Sequence, residues 1–131
     1  MFARQNEEGY IEALPGILRK TLAYGENTLM AEFVLAKGRD LPFHAHPYEQ
    51  TGYLVKGHLR LTICGETFDV RPGDSWNVPM NVEHGAQTIE DSIAIEVFSP
   101  VRPDYLPDGL TECRGVSVLA NEPEAAGNKP K

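Results

Sequence analysis

The sequence predicts an all-β domain, a sandwich or barrel of short antiparallel strands. Three observations lead there. No window of about 11 residues carries a helical period of apolar positions. Alternating apolar and polar runs recur instead, parted by Gly- and Pro-containing turn signals roughly every 8 to 12 residues. The length, 131 residues with 41% hydrophobic side chains, suits one domain with its own core.

Taken in order, residues 1–14 are polar and read as an arm outside the domain. Residues 17–23, ILRKTLA, alternate as an edge strand, and Tyr24-Gly25-Glu26-Asn27 turns the chain. Residues 28–36 read as a more buried strand that ends at Lys37-Gly38. Pro42 and Pro47 bracket the next segment and exclude a helix, so it is extended. Residues 51–55 continue to a turn at Lys56-Gly57. Residues 58–64 alternate with Leu59, Leu61 and Ile63 on one face, which leaves His58 facing solvent. Gly65-Glu66 forms a hairpin, 67–70 return, and Arg71-Pro72-Gly73-Asp74 turns again. Residues 75–78 form a short strand, and 85–89 and 93–98 are the last strands of the domain. Pro100, Pro103 and Pro107 then forbid regular pairing. The domain is thus bounded at 15–107. The tail, 108–131, is rich in Pro, Ala, Gly and charge. It reads as disordered or as an arm to a neighbouring subunit, with one short strand within 111–120.

Composition excludes several functions. A net charge of −7 with scattered basic residues gives no electrostatic case for nucleic acid. Cys64 and Cys113 make no disulfide framework and read as reduced thiols. No apolar run is long enough to span a membrane, and the N-terminus lacks a signal-peptide pattern. The expectation is a cytoplasmic protein without a membrane partner.

The chemistry-bearing stretch is GRDLPFHAHPYEQTGYLVKG, residues 38–57. On a strand, His44 and His46 share a face, and Gln50 keeps their parity. Such a trio can close on one metal ion, with His84 from RPGDSWNVPMNVEHGA as a further ligand. Glu49 competes with Gln50, but parity turns it away unless Pro47 introduces a bulge. Three imidazoles and an amide oxygen bring no charge, so the ion would keep its full positive charge and favour an anionic substrate. Glu96 and Phe98 share one face of the last strand, opposite Ile93, Ile95 and Val97. A glutamate within SIAIEVF either faces solvent or is buried for function, because carboxylates are rarely buried otherwise. Arg102 can grip a carboxylate through two parallel hydrogen bonds, or pair with Asp104 or Glu112. Tyr48, Tyr53 and Trp76 are candidate lining residues, Trp76 more as core, and Tyr105 belongs near the mouth.

His–x–His alone is a weak signal, but its frame is specific. Gly38, five residues, His44-Ala45-His46, three residues, Gln50, six residues, Gly57 resembles the first cupin motif. Gly73, five residues, Pro79-Met80-Asn81, two residues, His84 resembles the second. Two positions depart: Gln50 stands where glutamate is usual, and Thr88 where the second motif has asparagine. HPYEQ with the later FSPVRPDY is similar to the pectin-degradation cupins, which linearise unsaturated uronates and in which glutamine is the usual ligand. The resemblance implies a jelly-roll barrel and a homodimer. It also implies one divalent transition metal (nickel, zinc, manganese or iron) on His44, His46, Gln50 and His84. The active-site residues it implies are Glu96, Phe98 and Arg102, with Glu96 where aspartate is usual. The implied partner is a small acidic sugar, a cyclic 4,5-unsaturated monouronate opened to its linear keto form. The alternatives are another metal-dependent cupin enzyme, an oxygenase or a sugar isomerase, and a non-catalytic sugar-binding cupin.

Overall fold

A computed structural model of the chain describes residues 1–107. The tail 108–131, with the short strand expected in it and Cys113, lies outside the described residues. Eight strands run in order: β1 (Ile11–Leu14), β2 (Ile17–Tyr24), β3 (Leu29–Leu35), β4 (Asp40–His44), β5 (Glu49–Ile63), β6 (Glu66–Val70), β7 (Ser75–Val78) and β8 (His84–Ser99). A 3-10 turn, Pro103–Tyr105, follows. All pairings are antiparallel.

β5 and β8 are long and organise the rest. The first half of β5 pairs with the second half of β8, with β7 on one side and β3, β2 and β1 beyond on the other. The second half of β5 pairs with the first half of β8, flanked by β6 and β4. The two halves fold over each other as a jelly roll. Inward positions carry the core: Ile17, Leu35, Leu54, Leu59, Leu61 and Val70 in one cluster, Leu29, Ala31 and Phe98 in another. No helix among the described residues is long and apolar enough to cross a membrane.

Several sequence-based expectations are corrected. The turn expected at Lys56-Gly57 is a set of bulges inside one strand, with register shifts between Leu54 and Leu59. Gly57, at φ 102°, makes the kink, and a Cβ there would strike Asp91 and Ser92. The bulges shift strand phase, so His58 is buried rather than solvent-facing, and its Nε2 lies 3.1 Å from Asp69. That bond holds the Asp69 carboxyl below its usual range. The two strands expected over 85–98 are likewise one continuous β8. Between β5 and β6, Cys64 and Gly65 both take positive φ, so they are the central hairpin residues, not Gly65-Glu66. The exposed Cys64 has no disulfide partner among the described residues.

The expected edge strand over 17–23 is covered. β1 pairs along β2, so part of the polar arm is sheet. The preceding residues dock as well: Lys20 Nζ donates to the Asn6 backbone and side chain at 2.7 and 2.9 Å, and the Tyr10 hydroxyl to Glu32 at 2.5 Å. The Glu32 carboxylate pushes the Tyr10 phenol up to about 12.

Candidate metal centre and substrate chamber

The three histidines come from different places. His44 ends β4, His84 begins β8, and the two are register partners. His46 is not on a continuous strand with His44, as parity supposed, but in the loop after it. That loop is held by the turn before β8, where Asn81, at φ 63°, donates its backbone N–H to the His46 carbonyl at 2.8 Å. Asparagine is among the few residues that tolerate this conformation. Ring centroids lie 4.3 Å apart for His44–His84, 4.8 Å for His46–His84 and 5.4 Å for His44–His46.

One donor pattern repeats on all three. Nδ1 faces a backbone carbonyl two residues away: Pro42 at 2.8 Å from His44, Tyr48 at 3.2 Å from His46, and Val82 at 2.9 Å from His84. A carbonyl only accepts, so each Nδ1 carries the proton and each Nε2 presents a bare lone pair. Ligand nitrogens of the three rings lie within 4.8 Å of one another. Burial pushes the His46 and His84 pKa down, with neighbouring positive charge adding to it, so both stay neutral.

Gln50, on β5, is buried and its Oε1 lies 3.0 Å from His46 Nε2. Two lone pairs facing at that distance repel unless a cation lies between them. His84 Nε2 is also buried without any hydrogen-bond partner. A divalent transition ion answers both, and three imidazoles with an amide oxygen are a donor set such an ion accepts. The residues fit the metal. Glu49 is exposed on the other face of β5 and accepts a hydrogen bond from Asn77 at 3.0 Å.

Glu96 and Phe98 both lie on the inward, buried face of β8. Phe98 is 1% exposed and stacks edge-on to His46 at 6.0 Å. Glu96 is 8% exposed, so its face of β8 does not look to solvent. Burial pushes its carboxyl up to about 7, with the Gln50 amide and the Trp76 indole drawing it part of the way back. Its Oε1 nevertheless has no partner at good hydrogen-bonding geometry, and neither has Trp76 Nε1. The Gln50 amide and the Trp76 indole are close to the carboxyl but poorly aligned with it.

Arg102 packs against three aromatic rings. Its guanidinium lies 4.1 Å from the Tyr105 ring centre, 5.0 Å from Phe98 and 5.1 Å from Tyr48. It also pairs with Asp104 at 3.0 Å, the bland partner expected from the sequence, but Asp104 is largely exposed. Tyr105 is anchored in turn, its carbonyl accepting from Thr21 Oγ1 at 2.5 Å, with Arg19 on its ring at 4.0 Å. Tyr53 is 49% exposed and does not line the chamber. The sequence reading named Tyr48, Phe98 and Tyr105 as site candidates but not that their rings seat the Arg102 guanidinium, since Tyr48 reaches it from a distant part of the chain. Two shallow surface grooves, about 210 Å³ by Met1 and Met30 and about 470 Å³ by Leu18 and Val34, hold no histidine and no converging polar set.

The family model described as the cupin domain matches residues 31–99. The chain is 31% identical over 103 residues to the pectin degradation protein KdgF of Dickeya dadantii, covering 77% of this chain and 94% of that one. The solved structure of KdgF from Halomonas sp. superposes with a TM-score of 0.77 at 32% identity, over 81% of this chain and 98% of that one. An RmlC-like cupin from Shewanella frigidimarina gives a TM-score of 0.76 at 28% identity, over 80% of this chain and 95% of that one.

Proposed function

The chain belongs to the cupin domain family, and from that premise we propose that it opens the ring of a cyclic 4,5-unsaturated monouronate to the linear keto acid. The observation that carries this reading is one chamber holding an uncharged metal-ligand set, a buried carboxyl and an arginine at the mouth. The pectin-degradation name of the Dickeya relative supports the substrate class.

His44, His46, His84 and Gln50 would hold one divalent ion, whose identity among nickel, zinc, manganese and iron is set by availability as much as by the ligands. Bound there, the ion supplies a Lewis acid that polarises a substrate oxygen. Arg102 offers two aligned N–H groups to the uronate carboxylate, in exchange for an exposed Asp104 pair worth about 0–1 kcal/mol. Phe98 packs on the ring face and keeps water out.

The reaction is an isomerisation. The hydroxyl on C1 loses its proton and the C1–O5 bond breaks, which leaves an aldehyde at C1 and an enolate oxygen on C5. A proton then arrives at C4, and the C5 keto acid results. One proton leaves and one returns, so no oxidant or second substrate is needed. Glu96 is the group assigned to both transfers, since a carboxyl near pH 7 can hold or release a proton at working pH. The same reading includes a homodimer and an acidic monosaccharide as the partner.

Proton NMR tests it. With galacturonate- or guluronate-derived unsaturated monouronate, the loaded protein should convert the vinylic H4 signal to the linear product faster than buffer alone. Glu96→Gln should lower kcat with KM little changed. Arg102→Ala should lower kcat/KM by roughly 10²-fold, the loss of a charge-assisted pair of about 3 kcal/mol. If neither substrate is converted above the spontaneous rate, the reading fails, and the oxygenase, sugar isomerase or sugar-binding alternatives replace it.

A further inference from the structure

The strand register builds a notch beside the metal ligands. Gly52 on β5 is the direct partner of Glu96 on β8 and of Trp76 on β7. The tier therefore reads Trp76–Gly52–Glu96 across three strands. On its far side Glu96 is paired with Ala31, another small residue. Cross-strand partners have their side chains side by side. With no Cβ at position 52, the Trp76 indole edge and the Glu96 carboxyl both lean over the glycine. A Cβ built on Gly52 would collide with Trp76 Nε1 and with Glu96 Oε1 together. Gly52 has no positive φ, so the backbone does not demand glycine here. The space does.

The two atoms that converge on this point are complementary. An indole N–H can only donate, and a carboxylate oxygen accepts. Both are buried, and neither has another partner among the described residues. Leaving a buried donor and a buried acceptor unmet is costly, so a small rotation that joins them is favoured. Gln50 lies two residues before Gly52 on the same face, with its Oε1 turned to His46. Its amide nitrogen is then free to donate to Glu96.

We propose that Trp76 and Gly52 position Glu96: the indole N–H holds the carboxyl over the side-chain-free glycine, and the carboxyl in turn orients the Gln50 amide so that its oxygen faces the metal site. A glutamate at position 50 would set two carboxylates against each other, which accounts for an amide at that position. The inference rests on the role given to Glu96 above, but its first test does not need the reaction.

Trp76 is the only tryptophan in the chain, so the protein has one indole N–H signal. In ¹⁵N-labelled protein that proton should resonate downfield, as a charge-assisted donor does. Glu96→Leu should move it upfield, in the metal-free and in the zinc-loaded protein alike. An unchanged indole signal in Glu96→Leu overturns the inference. The kinetic arm uses Trp76→Phe, which keeps the ring and loses the donor. With zinc held at saturation, KM should be unchanged while kcat falls about 10-fold or more, as for a misplaced catalytic group. Added to Glu96→Gln, the same change should cost nothing further, because both act through one carboxyl. A residue that only fills the core would leave kcat of the folded protein intact, and that result also overturns the inference. Gly52→Ala should shift the indole signal and lower kcat. If that variant fails to fold, Trp76→Phe and Glu96→Leu still decide. If the wild-type chain opens neither uronate, the proposed reaction fails while the indole shift still rules on the positioning.

Discussion

Gln50 and Glu49 are adjacent, and the sheet sends them to opposite sides. Gln50 is buried beside His46, while Glu49 is exposed and bonded to Asn77. Parity along β5 makes that division, although the sequence argument measured parity from histidines that are not on the same strand. The division predicts a ranking. Gln50→Ala should weaken metal binding by about 10²-fold or more, beyond the 10–100-fold typical of residues that merely support a ligand. Glu49→Ala should change it little. Isothermal titration of zinc into metal-free protein measures both. The reverse ranking would mean that the loop at Pro47 rotates when the ion binds. Glu96 was legible as conspicuous from its run of apolar neighbours. Trp76 was legible only as an aromatic, because no pattern along the chain shows that Gly52 lies between them.

At the scale of elements, the lesson is where strands end. β5 and β8 each read as two strands, since Gly57 looks like a turn and the polar run 90–92 interrupts the apolar alternation. The register shifts let the ladder pass through these residues instead, held by pairing that lies far away in sequence. The same shifts put His58 and Leu59 inside together, which simple alternation forbids. Local propensity cannot report this, because the deciding hydrogen bonds are cross-strand. The docked N-terminal arm was illegible for a similar reason: Tyr10 finds Glu32 across 22 residues. That pair makes a pH prediction. The Tyr10 phenol is raised from 10.0 to about 12 in the fold. Between those values the folded protein holds a proton that the unfolded chain has lost, so the contribution is complete below pH 10 and lost as pH rises through 12. The arm is partly exposed, so solvent screens the effect. Burial also raises Tyr48 and Tyr105, so the comparison with a variant decides: ultraviolet titration of Glu32→Gln should show one fewer late-ionising tyrosine than the wild type. A titration that Glu32→Gln leaves unchanged would contradict the docking of the arm.

For the whole molecule, the fold class was the most legible feature. Short alternating runs, frequent turns and two glycine-framed histidine motifs are local signals, and the barrel follows from them. The assembly was less so. The homodimer is what the resemblance implies, and the strand expected as an open edge at 17–23, which would have favoured it, is covered by β1. What remains on the surface is the outer face of the large sheet, where Met30, Tyr53 and Val55 are 38%, 49% and 47% exposed. The proposed dimer therefore predicts a mass of twice 14.5 kDa by light scattering, reduced to the monomer by Tyr53→Lys. A wild-type monomer at high concentration would remove the dimer without touching the chamber.

The chamber's central claim is that an ion on His44, His46, His84 and Gln50 makes this chain a uronate-opening enzyme. Initial rates of loss of unsaturated-uronate absorbance, taken on one sample as purified, after chelation and after adding back metal, test it most directly. The rate should be lost on chelation and recovered with one equivalent of ion per chain. A rate that chelation leaves unchanged, or a fully loaded protein no faster than buffer, would contradict it.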